Sequence, residues 1–330
     1  MQSMKKKILV TREIFPEVIE RLAQHFELEG NQEDRIFTQA ELIAKLADKD
    51  GVFSTLSESL SPAVVQACGR LKAICNMAVG YNNIDVAAAT AAGIAVTNTP
   101  EVLNETTADF GFALMMATAR RVTESEQWLR AGKWDRWRYD GFMGVDVHGA
   151  TLGIIGMGRI GQAIARRSTG FDMQVIYHNR SRLDPALEAR ANNARHVPRD
   201  ELLRTADHVI LVVPYSPALH HMIGAAEIAL MKPSATLVNI ARGGVVDDAA
   251  LIAALKLGRI AGAGIDVFEN EPAFNPDFLS LKNVVLTPHI ASSSRNTRLA
   301  MANCAADNLI AALEGRRPPN LVNPAVLGGA

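Results

Sequence analysis

The run Thr151-Leu152-Gly153-Ile154-Ile155-Gly156-Met157-Gly158-Arg159-Ile160-Gly161 constrains the fold of this chain more than any other stretch. Its apolar opening, bounded by glycine, suits a buried strand. Gly156, Gly158 and Gly161 then make G-x-G-x-x-G, and Arg159 to Ser168 continues with helical spacing. The order is strand, tight turn, helix. Gly156 allows the turn, Gly158 lets backbone approach a pyrophosphate, and Gly161 lets the helix pack close to the strand. The helix start, at Arg159 and Ile160, then faces the diphosphate with its N–H groups and the positive end of the helix dipole.

The rest of the chain supplies the context such a turn requires. Strand-like runs at Lys7–Val10, Gly51–Phe53, Leu71–Cys75 and Ile94–Thr97 alternate with helical patterns, among them Pro16–Phe26 and a helix opened by Ser61-Pro62. A second alternation begins at Thr151. Its strands are Thr151–Ile155, Met173–Tyr177, His208–Val213, Thr236–Ile240, Gly262–Val267 and Val284–Thr287, with a helix over Asp247–Leu257 closed by Gly258. Alternating strands and helices predict parallel sheets with right-handed crossovers. With 330 residues the chain is too long for one ordinary core. The expected class is therefore α/β, with two Rossmann-like doubly wound parallel-sheet domains. The long helical stretch Asn104–Arg121 carries the chain from one domain to the other, and Asn296–Leu313 returns it. Residues 1–103 and 295–330 are then a discontinuous substrate-binding domain, and 104–294 the dinucleotide-binding domain. Ligands of such sheets bind beyond the carboxyl ends of the strands, which places the expected active site in the cleft between the domains.

Composition narrows the partners. Lysine and arginine number 34 against 35 acidic residues, a net charge of -1. That balance gives no field for nucleic acid or an anionic membrane, so a small molecule is the expected partner. Cys68, Cys75 and Cys304 show no metal-binding spacing, so packed thiols in a reducing compartment and no metal site are expected. No stretch reaches transmembrane length and no leader core follows the first lysines, which predicts a cytoplasmic protein. His220-His221 lies between Pro217 and Gly224 with no strand end to position it and reads as surface.

A fold of this kind that binds NAD puts an acid at the end of its second strand, about 20 residues beyond the glycines. Here Asn179 stands in that place, followed by Arg180, Ser181 and Arg182. Repulsion of a 2′-phosphate is removed. Arg180 can pair with it bidentately, Ser181 can donate a hydrogen bond, and Arg182 adds positive charge. NADP(H) is the expected cofactor, ahead of NAD(H).

Three strand ends carry residue types suited to carbonyl reduction. They are Asn239-Ile240-Ala241-Arg242-Gly243-Gly244, Asp266 through Pro272, and Thr287-Pro288-His289-Ile290. Parallel strands would bring Arg242, Glu271 and His289 to one sheet edge. Reduction leaves negative charge on the carbonyl oxygen, which must receive a proton. An imidazolium is a suitable acid near neutral pH, so His289 is the expected donor. Glu271 can orient the ring and favour its protonated form, and Arg242 offers a planar fork for a substrate carboxylate.

These segments, with Val79-Gly80-Tyr81-Asn82-Asn83-Ile84-Asp85 and Asn104-Glu105-Thr106-Thr107-Ala108-Asp109, resemble the D-isomer-specific 2-hydroxyacid dehydrogenase family over essentially the whole chain. The resemblance implies Arg242, Glu271 and His289 as the catalytic set. It also implies that the N–H groups of Val79 and Gly80 bind the substrate carboxylate, that Thr107 touches the cofactor, and that Asp266 holds the nicotinamide carboxamide. Val213-Pro214 would line the adenosine side, Ala241 the cofactor, and Leu56 the substrate. Ala119-Arg120-Arg121-Val122, Gly132-Lys133-Trp134 and Asn179-Arg180-Ser181 are most similar to glyoxylate/hydroxypyruvate and 2-ketogluconate reductases. Such relatives imply a homodimer through the cofactor domains, and the Trp134-Asp135-Arg136-Trp137 loop resembles one that crosses that interface, where Trp137 either lines the neighbouring substrate pocket or anchors the dimer core. The expected substrate is a small 2-oxo or 2-hydroxy acid. A rival expectation is a nucleotide-sensing scaffold of the same fold, which the absence of peptide-docking segments disfavours.

Overall fold

The computed structural model describes residues 5–31 and 33–327. The chain divides into two compact units. The first ends at Leu103 and resumes at Ser294, and the second is Asn104–Ser293.

The first unit carries five strands, β1 (Lys7–Val10), β2 (Glu27–Gly30), β3 (Gly51–Ser54), β4 (Ala73–Asn76) and β5 (Ala95–Thr97). They form one sheet in the order β2-β1-β3-β4-β5, with every pair parallel. The last long helix, Arg295–Leu313, packs on β3 and β4. Gly51 permits that approach, since a Cβ there would stand 2.9 Å from side-chain carbons of Leu309 and Leu313.

The second unit carries β6 (Thr151–Ile155), β7 (Gln174–His178), β8 (Arg195–His196), β9 (His208–Leu211), β10 (Thr236–Asn239), β11 (Gly262–Ile265) and β12 (Val284–Leu286). Their order is β12-β11-β10-β9-β6-β7-β8, again all parallel. From β6 the chain runs outward through β7 and β8, then returns to β9 and runs the other way. The β6–β9 pair is thus the switch point, where a crevice opens at the strand ends. Apolar clusters fill both faces of this sheet. One joins Leu202, Val209, Leu237, Leu251 and Phe278, the other Met115, Leu152, Ile164, Tyr177 and Val238. The helix Asn104–Ala119 lies on the second face, against β10, β11 and the helix Arg159–Ser168. No helix among the described residues is long and apolar enough to cross a membrane.

Two strands escape the sequence pattern, β2 and β8. Both are edge strands, and neither has the apolar run of a strand buried on both faces. The other differences have functional meaning. β9, β10, β11 and β12 each stop one or two residues sooner than the apolar runs suggest. The residues so released begin the loops that carry Val213, Arg242, Glu271 and His289.

The thiols of Cys68 and Cys75 are free and buried, and burial pushes the Cys75 thiol up to about 12. It is a packing group, with no thiolate to react.

Candidate functional site

The glycine turn after β6 has the geometry that its sequence demands. Gly156 has φ +103°, and a Cβ on it would stand 2.6 Å from the carbonyl oxygen of Val212. At Gly161 a Cβ would stand 2.3 Å from the carbonyl oxygen of Gly156, so the helix sits directly on the turn. A Cβ at Gly158 meets nothing within 4 Å, so this backbone is open to an approaching group. Gly158 is also the N-cap of the helix Arg159–Ser168 and brings no side chain to cap its first turn. An uncapped helix start with an open approach is the cradle a diphosphate requires. Val213 borders it, its Cγ1 2.9 Å from the same position on Gly156, and the exposed Pro214 follows. Thr107 is buried on the helix Asn104–Ala119.

Asn179 does more than leave out an acid. Its Oδ1 accepts a hydrogen bond from the Met157 N–H at 2.8 Å, tying the end of β7 to the glycine turn. Arg180 and Ser181 follow, both exposed, and Arg180 pairs with no described residue. Arg182 behaves differently from the expectation. Its guanidinium donates to both oxygens of Glu188, at 2.9 and 2.7 Å. Glu188 also accepts from the buried Tyr177 hydroxyl at 2.7 Å, and these contacts hold its carboxyl down at about 2. Arg182 therefore anchors the loop and adds little net charge, because its partner cancels it. Arg180 is the free cation of the pair.

Arg242, Glu271 and His289 do meet on one edge of the second unit. His289 Nδ1 lies 2.8 Å from Glu271 Oε2. The other oxygen, Oε1, accepts from the Phe268 N–H at 2.7 Å, so the carboxylate is held at both ends. His289 Nε2 has no partner among the described residues and is available to a ligand. Burial opposes ionisation of Glu271. The His289 ring, the Phe268 N–H and Arg242 outweigh it, so the carboxyl lies below its ordinary value. Arg242 is desolvated, which lowers its pKa, and Glu271 partly compensates. A guanidinium keeps its proton even so, and a desolvated one attracts an anion strongly.

Neighbouring residues set this geometry. Asn239, the last residue of β10, accepts from the Ala241 N–H and donates to the Arg242 carbonyl, fixing the turn that presents Arg242. A Cβ on Gly243 would stand 1.7 Å from the Phe268 carbonyl oxygen, so only glycine lets the Arg242 turn reach the segment leading to Glu271. His289 has φ +54°, a left-handed conformation uncommon outside glycine. Its N–H is held by the carbonyls of Asp266 and Thr287. The Asp266 side chain is fully buried and accepts from Thr287 Oγ1 at 2.7 Å, Ile290 N at 2.9 Å and Ala291 N at 3.0 Å. Burial still keeps its carboxyl above the ordinary value. The carboxylate implied as a carboxamide holder thus folds the turn that carries His289.

In the first unit, Leu56 is half-buried just beyond β3, on a loop held by Glu58 and Asn83. After β4, the carbonyl of Ala78 accepts from Thr99 N–H and that of Val79 from Asn98 Nδ2. A trans peptide points its N–H opposite its carbonyl. The N–H groups of Val79 and Gly80 therefore face away from these partners, and neither has an acceptor among the described residues. Paired in this way, they form a small anion-binding concavity. Sequence reasoning missed the roles of Asn98 and Asn239, although Asn239 stands in a quoted segment. Trp137 is 78% exposed on its own chain and lines no site there.

His220 and His221 are also better positioned than their sequence suggests. The His221 N–H donates to the Gly244 carbonyl at 2.7 Å, and its ring hydrogen-bonds Glu269.

The close approach at Gly243 yields a test. Gly243→Ala should destabilise the fold by about 1–3 kcal/mol through overpacking and lower turnover by separating Arg242 from Glu271. Thermal melting and kcat measured together check this, and a variant of unchanged kcat would contradict the role given to the contact.

Comparison with known proteins identifies the family. A family model described as D-isomer specific 2-hydroxyacid dehydrogenase, NAD binding domain, matches residues 112–291. A glyoxylate reductase of Thermococcus gammatolerans is 49% identical over 328 residues, covering 98% of each chain. One from Pyrococcus furiosus is 48% identical over 328 residues, covering 98% of this chain and 97% of that one. Among solved structures, an NADPH-dependent glyoxylate/hydroxypyruvate reductase from Sinorhizobium meliloti, in complex with NADP and malonate, shares 36% identity at a TM-score of 0.87, covering 98% of both chains. By the family match, by near full-length relatives and by its two parallel-sheet domains, this chain belongs to the D-isomer-specific 2-hydroxyacid dehydrogenases, a family of NAD(P)-dependent oxidoreductases.

Proposed function

We propose that this protein reduces small 2-oxo acids, glyoxylate to glycolate and hydroxypyruvate to D-glycerate, with NADPH as the preferred cofactor. 2-Ketogluconate is the next substrate in line. The observation that carries the proposal is the Glu271–His289 pair, with Nε2 unpartnered, on the sheet edge that also bears the glycine cradle. Relatives named glyoxylate reductase support the substrate class.

When bound, the nicotinamide supplies the hydride. The chain's own residues do the rest. His289 delivers a proton from Nε2 to the carbonyl oxygen as that oxygen gains charge. Glu271 holds the ring through Nδ1 and stabilises its protonated state. Arg242 takes the substrate carboxylate and polarises the carbonyl. In the first unit, the Val79 and Gly80 N–H groups are the proposal's other carboxylate-binding element. In the reverse direction, neutral His289 accepts the hydroxyl proton.

The experiment is an absorbance assay at 340 nm (the nicotinamide band) over a panel of 2-oxo acids, with NADPH and NADH in parallel. His289→Ala should lower kcat by about 100-fold or more. Arg242→Ala should act chiefly on kcat/KM for carboxylate-bearing substrates. Near-wild-type rates in both would refute the roles assigned.

The NADPH preference rests on Arg180, Ser181 and the absent acid at Asn179. Arg180→Ala should raise KM for NADPH at least several-fold and leave KM for NADH nearly unchanged. Equal effects on the two cofactors would remove the 2′-phosphate from this account.

We also propose a homodimer formed through the second unit. Trp134, Trp137, Tyr139 and Met143 lie in one short segment and are all strongly exposed. Exposed aromatic clusters of this kind mark interfaces. Trp137 is assigned to the partner's substrate pocket. Trp137→Ala should change the ratio of kcat/KM between glyoxylate and hydroxypyruvate while sedimentation still reports a dimer. An intact dimer of unaltered selectivity would leave Trp137 a mere interface anchor.

A further inference from the structure

We propose that His220, His221 and Glu269 form a binding site for a divalent transition-metal ion of the zinc type, separate from the Glu271–His289 pair. One ring nitrogen of each histidine and one Glu269 oxygen lie within 4.8 Å of one another. Two imidazoles and a carboxylate are a donor set suited to such ions. Calcium and magnesium, by contrast, prefer oxygen alone.

Backbone conformation creates this cluster. Side chains of adjacent residues ordinarily diverge. His221 has φ +52°, in the left-handed region that residues with a Cβ seldom occupy. Its N–H donates to the Gly244 carbonyl at 2.7 Å, which holds the conformation in place. The two rings lie face to face, with centroids 3.9 Å apart and planes inclined by 22°, so the exposed His220 ring must rotate to turn its in-plane lone pair onto an ion shared with His221. Gly244 makes room for them, since a Cβ there would stand 3.1 Å from His220 Nδ1.

Polar groups border the cluster. The Tyr215 hydroxyl lies 3.3 Å from His220 Nδ1. Asp247 Oδ2 lies 3.8 Å from His221 Nδ1, while His221 Nε2 faces Glu269. The Glu269 backbone N–H donates to Asp248 Oδ2 at 3.1 Å, which fixes the start of that segment. A carboxylate behind a histidine whose other nitrogen faces a ligand is the arrangement that orients metal-binding imidazoles. A cation would take the place of the hydrogen bond between His221 and Glu269. His220 is exposed, so water can complete a tetrahedral shell. An ion here would join the loop after β9 to the segment after β11. Cysteine spacing alone gave no metal site, because these ligands come from two segments that only the fold brings together.

Metal-free full-length protein, titrated with Zn2+ against a chromophoric chelator and melted in parallel, tests the proposal. One equivalent per chain is expected, with a rise in Tm. His220→Ala and Glu269→Gln should each weaken binding by at least about tenfold. His289→Ala should leave that equivalent in place, which separates this site from the catalytic pair. Absence of saturable binding, binding unchanged in both ligand variants, or its loss in His289→Ala would overturn the assignment.

Discussion

A buried carboxylate holds the candidate site together. Asp266 has no exposed surface, and a charge in that position is costly unless hydrogen bonds replace its water. Three donors replace it, the Thr287 hydroxyl and the N–H groups of Ile290 and Ala291. All three belong to the segment after β12, so satisfying the carboxylate folds that segment into one turn. His289 lies within the turn, in a left-handed conformation that an unconstrained chain would rarely populate. The strain is local and the restraint comes from a neighbouring strand. Without that restraint the imidazole would not face Glu271.

The same economy appears on the other strands. Asn239 ends β10 and folds the Arg242 turn back on itself, while Gly243 lets this turn touch the backbone at Phe268. Glu271 is held by the Phe268 N–H as well as by His289. His289, Glu271 and Arg242, to which we assign proton donation, ring orientation and anion binding, are thus linked through backbone contacts between adjacent parallel strands. Rigid placement of this kind is what general-acid catalysis requires, because proton transfer depends steeply on distance.

At the cofactor edge, charge is arranged by subtraction. Asn179 secures the glycine turn through a neutral acceptor, where a carboxylate would repel a phosphate. Glu188 neutralises Arg182 and fixes the loop, and Arg180 remains unpaired on its outer side. Reading Arg182 from the sequence as added positive charge overstates the field, because Glu188 cancels it.

Much of this molecule was legible before any coordinates. Apolar runs located the interior strands, because a strand covered on both faces must be apolar throughout. The glycine spacing located the turn after β6, because only glycine tolerates φ near +103° and the approach to Val212. Arg242, Glu271 and His289 could be named from their places at strand ends. The edge strands β2 and β8 were not legible, since half-solvated strands carry no such pattern. Nor were contacts between segments remote in sequence, which have no local signature. Tertiary structure alone decided that Asp266 folds the His289 turn, that Arg182 is cancelled by Glu188, and that His220, His221 and Glu269 converge. The sequence determines which residues are able to do chemistry, through periodicity and local backbone preference. Which of them meet is decided by strand order and close packing, because those set the distances on which every electrostatic contact depends.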